Sequence, residues 1–334
     1  MLSNISGNLW KNMKLNSIKE NFTCSKSISK SMTLERKMER ISVNDNSSDN
    51  ELGVPVNEFR MVFKKFKKRV PPPDLSDVID VKCSKLVESR FVFDQNSLQE
   101  HHRIAADALG LTDPAKWVVY TFADRPGLYI LPNILQREKS VDWLSRVIQY
   151  SMPPSTTNLT IHGQSLADDP ELLNNKLRWT TLGIEYDWDT KEYPLFGRML
   201  PEELKSLGNL ISNSLELGAM RPDAAIVNFY PPKSTLSPHV DKSERSDAPL
   251  VSLSLGQDAI YLSGGTTLSE SPIPLWLRNG DVLVMHGKQR LVYHAIPCIA
   301  TASPESLFGP QDSSFLARYL NSSRVNVTIR QVHQ

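Results

Sequence analysis

Cysteine is nearly absent from this 334-residue chain: Cys24, Cys83 and Cys298 form an odd set with no CxxC spacing. That excludes a disulfide framework and a cysteine-rich zinc site, and it fits a reducing compartment. Long apolar runs are missing as well. No stretch of about 18 apolar residues is present to span a bilayer, and the first residues lack the apolar core of a secretory signal. A soluble, intracellular protein with no membrane partner is expected. Net charge is only +1, so no global field marks a polyanionic partner and any basic surface has to be local. Arginine is absent from residues 1–34, where Lys11, Lys14, Lys19, Lys26 and Lys30 face the single acid Glu20. This reads as a solvated disordered tail in preference to a transit peptide.

The hydrophobic share of 40% is enough to build a core. Residues 1–57 are polar, rich in Ser and Asn and without periodicity, so order is expected to begin near Phe59. There Phe59, Phe63, Phe66 and Val70 fall at helical spacing, while Arg60, Lys64, Lys65, Lys67, Lys68 and Arg69 supply positive charge up to the stop at Pro71-Pro72-Pro73. The apolar stripe of this short basic helix predicts packing on the domain. Its charges form either a solvated face or a phosphate contact, since a row of Lys and Arg releases counterions from a polyanion.

Further helices are expected over residues 97–109, 141–150 and 202–217, with strands at 117–122 and 128–131. Beyond residue 217 the chain changes character. Short β-rich runs follow at 224–230, 250–255, 259–262, 275–277, 282–285, 291–295 and 324–332, punctuated by Pro, Gly and Asn. Asn279-Gly280 predicts a hairpin between the runs on either side of it, and residues 300–312, rich in Ser and Pro, read as a loop. So many short strands with such punctuation predict a sandwich or jelly roll with helices packed outside.

His239-Val240-Asp241 puts two metal-ligand types at i and i+2, on the same face of an extended chain. Taken alone, the pair is also what a surface loop with a satisfied histidine would show. A third ligand would complete the two-histidine, one-carboxylate set of non-heme iron oxygenases, and both His294 and His286 end β runs and compete for that place. Residues 324–330 alternate without a break, with Val325, Val327 and Ile329 on one face and Arg324, Asn326, Thr328 and Arg330 on the other. The paired donors of a guanidinium suit a dicarboxylate cosubstrate; a solvent-facing strand is the plain alternative. Asn228 and Tyr230 make a similar i, i+2 pair able to hydrogen-bond a carboxylate.

Together, Asn228-Phe-Tyr230, His239-Val-Asp241-Lys-Ser-Glu244, Leu253-Ser-Leu-Gly256, Gly264-Gly265, Gly280-Asp281, Arg290-Leu-Val-Tyr-His294 and Arg324-Val-Asn-Val-Thr-Ile-Arg330 resemble the AlkB family of nucleic-acid dioxygenases. The likeness runs from about Phe59 to Val332 and is greatest to the eukaryotic homologue-1 branch. It implies an α+β, mainly β protein: a double-stranded β-helix (jelly roll) core at 201–334, flanking helices, and an extension at 58–200 carrying the basic helix and a nucleotide-recognition lid, behind the tail at 1–57.

The resemblance also implies Fe(II) held by His239, Asp241 and His294, with His286 a neighbour. It implies 2-oxoglutarate with Arg324 on its distal carboxylate, helped by Tyr230 and Asn326, and Arg330 and Asn228 near the chelating end. With O2 as cosubstrate, an N-methyl group would be hydroxylated and lost as formaldehyde while 2-oxoglutarate leaves as succinate and carbon dioxide. Trp179 would stack on an extruded base, with Tyr186 and Trp188 nearby and Lys242, Ser243 and Glu244 at the mouth. Arg60, Lys64, Lys65, Lys67, Lys68 and Arg69 would touch nucleic acid. Ser243 stands where bacterial repair members carry an acid, which points away from cationic DNA lesions. The expected substrate is tRNA (1-methyladenosine, 5-methylcytidine) or DNA N6-methyladenine, for a monomer in the mitochondrion, nucleus or cytoplasm. A dioxygenase acting on protein side chains such as those of histones is the competing expectation, and a non-catalytic binding module the third.

Overall fold

The structure, a computed structural model, describes residues 56–94, 96–300, 307–308 and 314–333. Nearly all of the expected tail, most of the expected loop at 300–312, and Cys24 lie outside the described residues.

Helix α1 (Glu58–Lys67) starts at Asn57, whose side chain accepts from the Arg60 amide at 2.8 Å. Phe59, Phe63 and Phe66 are all buried, as the spacing predicts. Thirteen strands follow, interleaved with helices: β1 (Glu88–Phe91), α2 (Glu100–Ala108), β2 (Val118–Thr121), β3 (Leu128–Leu131), α3 (Lys139–Tyr150), β4 (Thr156–Thr157), α4 (Leu172–Asn175), β5 (Trp179–Gly183), α5 (Glu202–Ser214), β6 (Ala224–Tyr230), β7 (Leu236–His239), β8 (Leu250–Gly256), β9 (Ala259–Ser263), β10 (Ile273–Leu277), β11 (Val282–Met285), β12 (His294–Ile299), α6 (Phe315–Leu320) and β13 (Arg324–Arg330).

They form two sheets, a nine-stranded one in the order β1-β2-β3-β11-β8-β13-β6-β5-β4 and a four-stranded one in the order β10-β9-β12-β7. In the large sheet the four strands from after residue 200, β11, β8, β13 and β6, are flanked on one side by β3, β2 and β1 and on the other by β5 and β4, all from before it. The segments 58–200 and 201–334 are therefore joined by main-chain hydrogen bonds, not packed as separate units. The apolar face of β13, Val325, Val327 and Ile329, joins Leu204, Leu207 and Ile211 of α5 and Leu144 and Val147 of α3 in the main core. The opposite, polar face therefore looks inward, between the sheets.

Helix α1 closes the outside of the small sheet, packing Phe59, Phe63 and Phe66 on Ile260, Leu262 and Ala295. Gly264 makes this possible: a Cβ there would sit 2.6 Å from the Phe59 ring.

Two local expectations are corrected. Asn279-Gly280 is not a hairpin turn, because β10 lies in the small sheet and β11 in the large one. Only Gly280 has positive φ, at 82°, whereas the tight two-residue hairpin turn needs it at both positions. Asn279 accepts from the Gly256 amide and donates to Ser140, each at 2.9 Å, so the turn is pinned while the chain crosses between sheets. The run at 291–295 is likewise displaced: Gly287–Leu291 is a 3-10 turn, and the strand begins at His294 and continues through Pro297. Pro297 is tolerated because the register slips between Ala295 and Cys298, where no ladder donor is required. Strand β7, absent from the sequence reading, contains Pro238; it lies at the sheet edge, where a missing N–H costs little.

Candidate active site

His239 ends β7 and His294 opens β12, and the two residues are register partners across those antiparallel strands. Their ring centroids are 4.2 Å apart. Asp241 follows on the loop, with Oδ1 3.9 Å from His239 Nε2 and Oδ2 3.8 Å from His294 Nε2. One ligand atom from each of the three residues lies within 4.8 Å of the others. Each imidazole turns its Nδ1 to a main-chain carbonyl, Ser237 O at 3.0 Å and Val292 O at 3.2 Å. A carbonyl only accepts, so Nδ1 carries the proton and Nε2 offers its lone pair to the shared point.

Burial would raise the Asp241 pKa, but Arg330, then His294 and His239, hold it well below the ordinary carboxylate range. Burial, with His239 beside it, pushes the His294 ring down to about 4. Both groups are thus held in their ligating forms at neutral pH. His286 follows β11 in the other sheet and is not part of the cluster.

A cavity opens from this cluster between the sheets. Arg324, Asn326, Thr328 and Arg330 line it from β13, Asn228 and Tyr230 from β6, and Ser252 from β8. Register explains the grouping, since Arg324 stands opposite Tyr230, and Asn326 between Asn228 and Ser254. Arg324 is 1% exposed. Its guanidinium reaches Ser254 Oγ at 2.8 Å and two main-chain carbonyls at 3.4 Å, and its Nε has no partner. It makes no ion pair among the described residues, so a buried cation faces the cavity with donor capacity in hand. Arg330 is committed differently, donating to Asp241 Oδ2 at 3.1 Å and, in a short contact, to Glu244.

The residues expected to form a lid cluster among themselves. Trp179 is register partner of Asn228, is 6% exposed, and lies 4.9 Å from the Trp188 ring. Tyr186 meets Trp188 and Tyr193 edge-on. The Ser243 hydroxyl donates to Lys191 O at 3.0 Å, tying the loop after His239 to the segment that carries Trp188 and Tyr193, and Lys242 is exposed. The side chains of Arg60, Lys64, Lys65, Lys67, Lys68 and Arg69 are exposed on α1 and just beyond it; Lys65 pairs with Asp77 at 2.6 Å. They cover the outside of the small sheet, behind the strand that carries His294.

Glu244 is not a mouth residue. Its side chain is 1% exposed and lies between Arg330 and Arg290. An acid at that depth requires partners, and both of its oxygens have one.

The sequence model of the 2OG-Fe(II) oxygenase superfamily matches residues 127–330. The chain is 31% identical over 327 residues to the mouse protein named nucleic acid dioxygenase ALKBH1, covering 82% of this chain and 83% of that one. It is 32% identical over 311 residues to the Schizosaccharomyces pombe tRNA demethylase abh1, covering 83% and 96%. With the Arabidopsis thaliana DNA N(6)-methyladenine demethylase ALKBH1A it shares 29% identity over 321 residues, covering 80% and 90%. The chain belongs to the AlkB family of 2OG-Fe(II) oxygenases.

An AlkB enzyme uses Fe(II) and 2-oxoglutarate, and the residues fit both. Two imidazole nitrogens and a carboxylate converge as non-heme iron requires, and Arg324 fits a carboxylate at the far end of the cavity. The serines of β8 were missed in the sequence reading. Their signal was present, since Leu-Val-Ser-Leu-Ser-Leu puts two hydroxyls, Ser252 and Ser254, on one face of an otherwise apolar strand. Tyr261, stacked on His294 at 5.9 Å, carried no such signal.

Proposed function

We propose that this AlkB-family enzyme removes methyl groups from bases in nucleic acid, with tRNA as the substrate and 1-methyladenosine as the base. The observation that carries the cofactor side is Arg324, a buried guanidinium without a carboxylate, aimed into the cavity that ends at the His–Asp–His cluster. The names of the relatives support the nucleic-acid side: a nucleic acid dioxygenase, a tRNA demethylase and a DNA demethylase.

In this reading His239, Asp241 and His294 hold iron. When bound, iron with 2-oxoglutarate and O2 supplies the oxidising power that hydroxylates an N-methyl carbon. Arg324 anchors the distal carboxylate, with Tyr230 and Asn326 beside it, while Asn228 and Arg330 stand at the chelating end. Leu277, Leu283 and Met285 give the cavity an apolar wall. The Nδ1–H bonds to Ser237 O and Val292 O hold both imidazoles in the ligating tautomer. Trp179 offers a flat face to the base once Trp188 moves aside, with Tyr186 beside it. The basic residues of α1 attract the phosphate backbone, which gives affinity without sequence. The hydroxylated methyl leaves as formaldehyde, so no leaving-group catalyst is needed. The monomeric state and a mitochondrial, nuclear or cytoplasmic location belong to the same proposal.

The test uses purified protein with Fe(II), 2-oxoglutarate and a tRNA carrying 1-methyladenosine, read by mass spectrometry of nucleosides. Adenosine should appear with equimolar succinate and formaldehyde, and His239→Ala should form neither. Methylated tRNA left intact, alongside turnover of a histone peptide, would favour the protein-directed alternative.

A further inference from the structure

Glu244 and Arg290 lie next to the iron ligands, and the reaction as described uses neither. Arg290 Nη2 donates to Glu244 Oε2 at 3.2 Å, and its Nη1 makes a short contact to Ser246 O. Glu244 Oε1 accepts from Arg330 Nη1 in a short contact, and Arg330 Nη2 donates to Asp241 Oδ2 at 3.1 Å. The result is a chain of alternating charge, Arg290, Glu244, Arg330, Asp241. Its side chains are 8%, 1%, 6% and 15% exposed in that order.

Guanidinium and carboxylate favour a two-pronged pairing. Arg330 does not pair with Asp241 in that way. Its two terminal nitrogens are divided between two carboxylates, so Asp241 gives up only Oδ2 to it, and Oδ1 stays on the side of His239 Nε2 at 3.9 Å. Charge balance works in the same direction. With Glu244 neutral, two buried guanidiniums would face one carboxylate beside a site that has to accept a dication.

We infer that Glu244, held by Arg290, is a positioning residue that restrains Arg330 and keeps Asp241 able to bind the metal. This rests on His239, Asp241 and His294 being the metal ligands. It gives Glu244 a role in metal affinity and none in contacting the base. Partners that orient a metal ligand from behind affect affinity strongly: their loss costs roughly 10- to 100-fold.

The experiment is an anaerobic Co(II) titration of the full chain, stripped of metal, with neither 2-oxoglutarate nor nucleic acid present, followed by visible absorption. Glu244→Gln, nearly isosteric, should bind Co(II) up to roughly 10-fold more weakly, the low end of the cost of losing a direct partner because Glu244 acts through Arg330, with shifted absorption bands, because the Asp241 bond to the metal changes. If that variant does not fold, Arg290→Met carries the test. It should weaken binding several-fold, and Arg290→Lys, which keeps the charge, should stay near wild type. Wild-type affinity and bands in a folded Glu244→Gln, or in Arg290→Met where the former does not fold, would overturn the inference. So would a raised KM for methylated oligonucleotide with metal binding unchanged. His239→Ala separates the two levels: if it binds Co(II) as wild type does, the ligand assignment itself fails. If it loses binding while Glu244→Gln keeps it, only the role of Glu244 fails.

Discussion

Replacing Arg324 by Met should have opposite effects on folding and on cofactor binding. In the free protein this guanidinium is 1% exposed, makes one 2.8 Å hydrogen bond to Ser254 and two long ones to carbonyls, and leaves Nε unpaired. Burial lowers its pKa, opposed by Tyr230, Asp281 and Asp258, as expected of a cation short of partners. Methionine, apolar and shorter, removes the desolvation cost and leaves the freed space to the cavity that Arg324 already lines, so stability without ligand should hold or rise. Binding should suffer, because truncating one partner of a buried, hydrogen-bonded charge pair costs about 2–5 kcal/mol. At about 1.4 kcal/mol per decade, that raises the 2-oxoglutarate requirement roughly 30- to 4,000-fold. Thermal unfolding with and without 2-oxoglutarate reads both effects. In wild type, ligand at about 100 times Kd should add roughly 2.7 kcal/mol, and the same concentration should add less than about 1 kcal/mol to the variant. An unchanged 2-oxoglutarate KM in Arg324→Met, or a folded variant that the ligand stabilises as it does wild type, would refute the reasoning.

Asp281 gives a pH test. It is 4% exposed, and burial pushes its carboxyl up to about 6 although the amides of Arg278 and Asn133 pull it down. Because the folded pKa is raised, the native state holds its proton while the unfolded chain releases one. This contribution is complete below about pH 4 and is lost as pH rises to about 6, an effect of roughly 3 kcal/mol. Asp281→Asn removes it, so urea denaturation should show the variant gaining on wild type between pH 4 and 7; a constant difference would contradict the raised pKa. Neutralising Lys64, Lys65, Lys67 and Lys68 together should weaken tRNA binding and flatten its salt dependence, with 2-oxoglutarate binding unaltered. An unchanged salt slope would remove α1 from the interface. Trp179→Ala should raise the KM for methylated oligonucleotide by about 1–3 kcal/mol of lost stacking while succinate formation without nucleic acid is retained. Normal oligonucleotide KM would take the stacking role from Trp179.

The sequence by itself determined whatever depends on local period. Helical spacing located α1 and its phenylalanines, the i, i+2 pair placed His239 and Asp241 on one face, and the alternation of 324–330 separated an apolar from a polar side. Which side looks inward could not be read from alternation, since a solvated strand shows the same pattern; α5 packing on Val325, Val327 and Ile329 decided it. Tertiary structure also chose between two histidines eight residues apart in the chain. His294 faces His239 because β12 pairs with β7, whereas β11 carries His286 into the other sheet. Asn279-Gly280 misled for the same reason: a jelly roll passes neighbouring strands to opposite sheets, and a turn motif carries no information about which sheet receives the next strand. Glu244 reads as one more polar residue on a loop until Arg290 and Arg330, 46 and 86 residues further on, close over it. Ligand type is written in short-range pattern, but burial and partnership are set by long-range register, and those decided which residues support the metal site and which are left to meet the substrate.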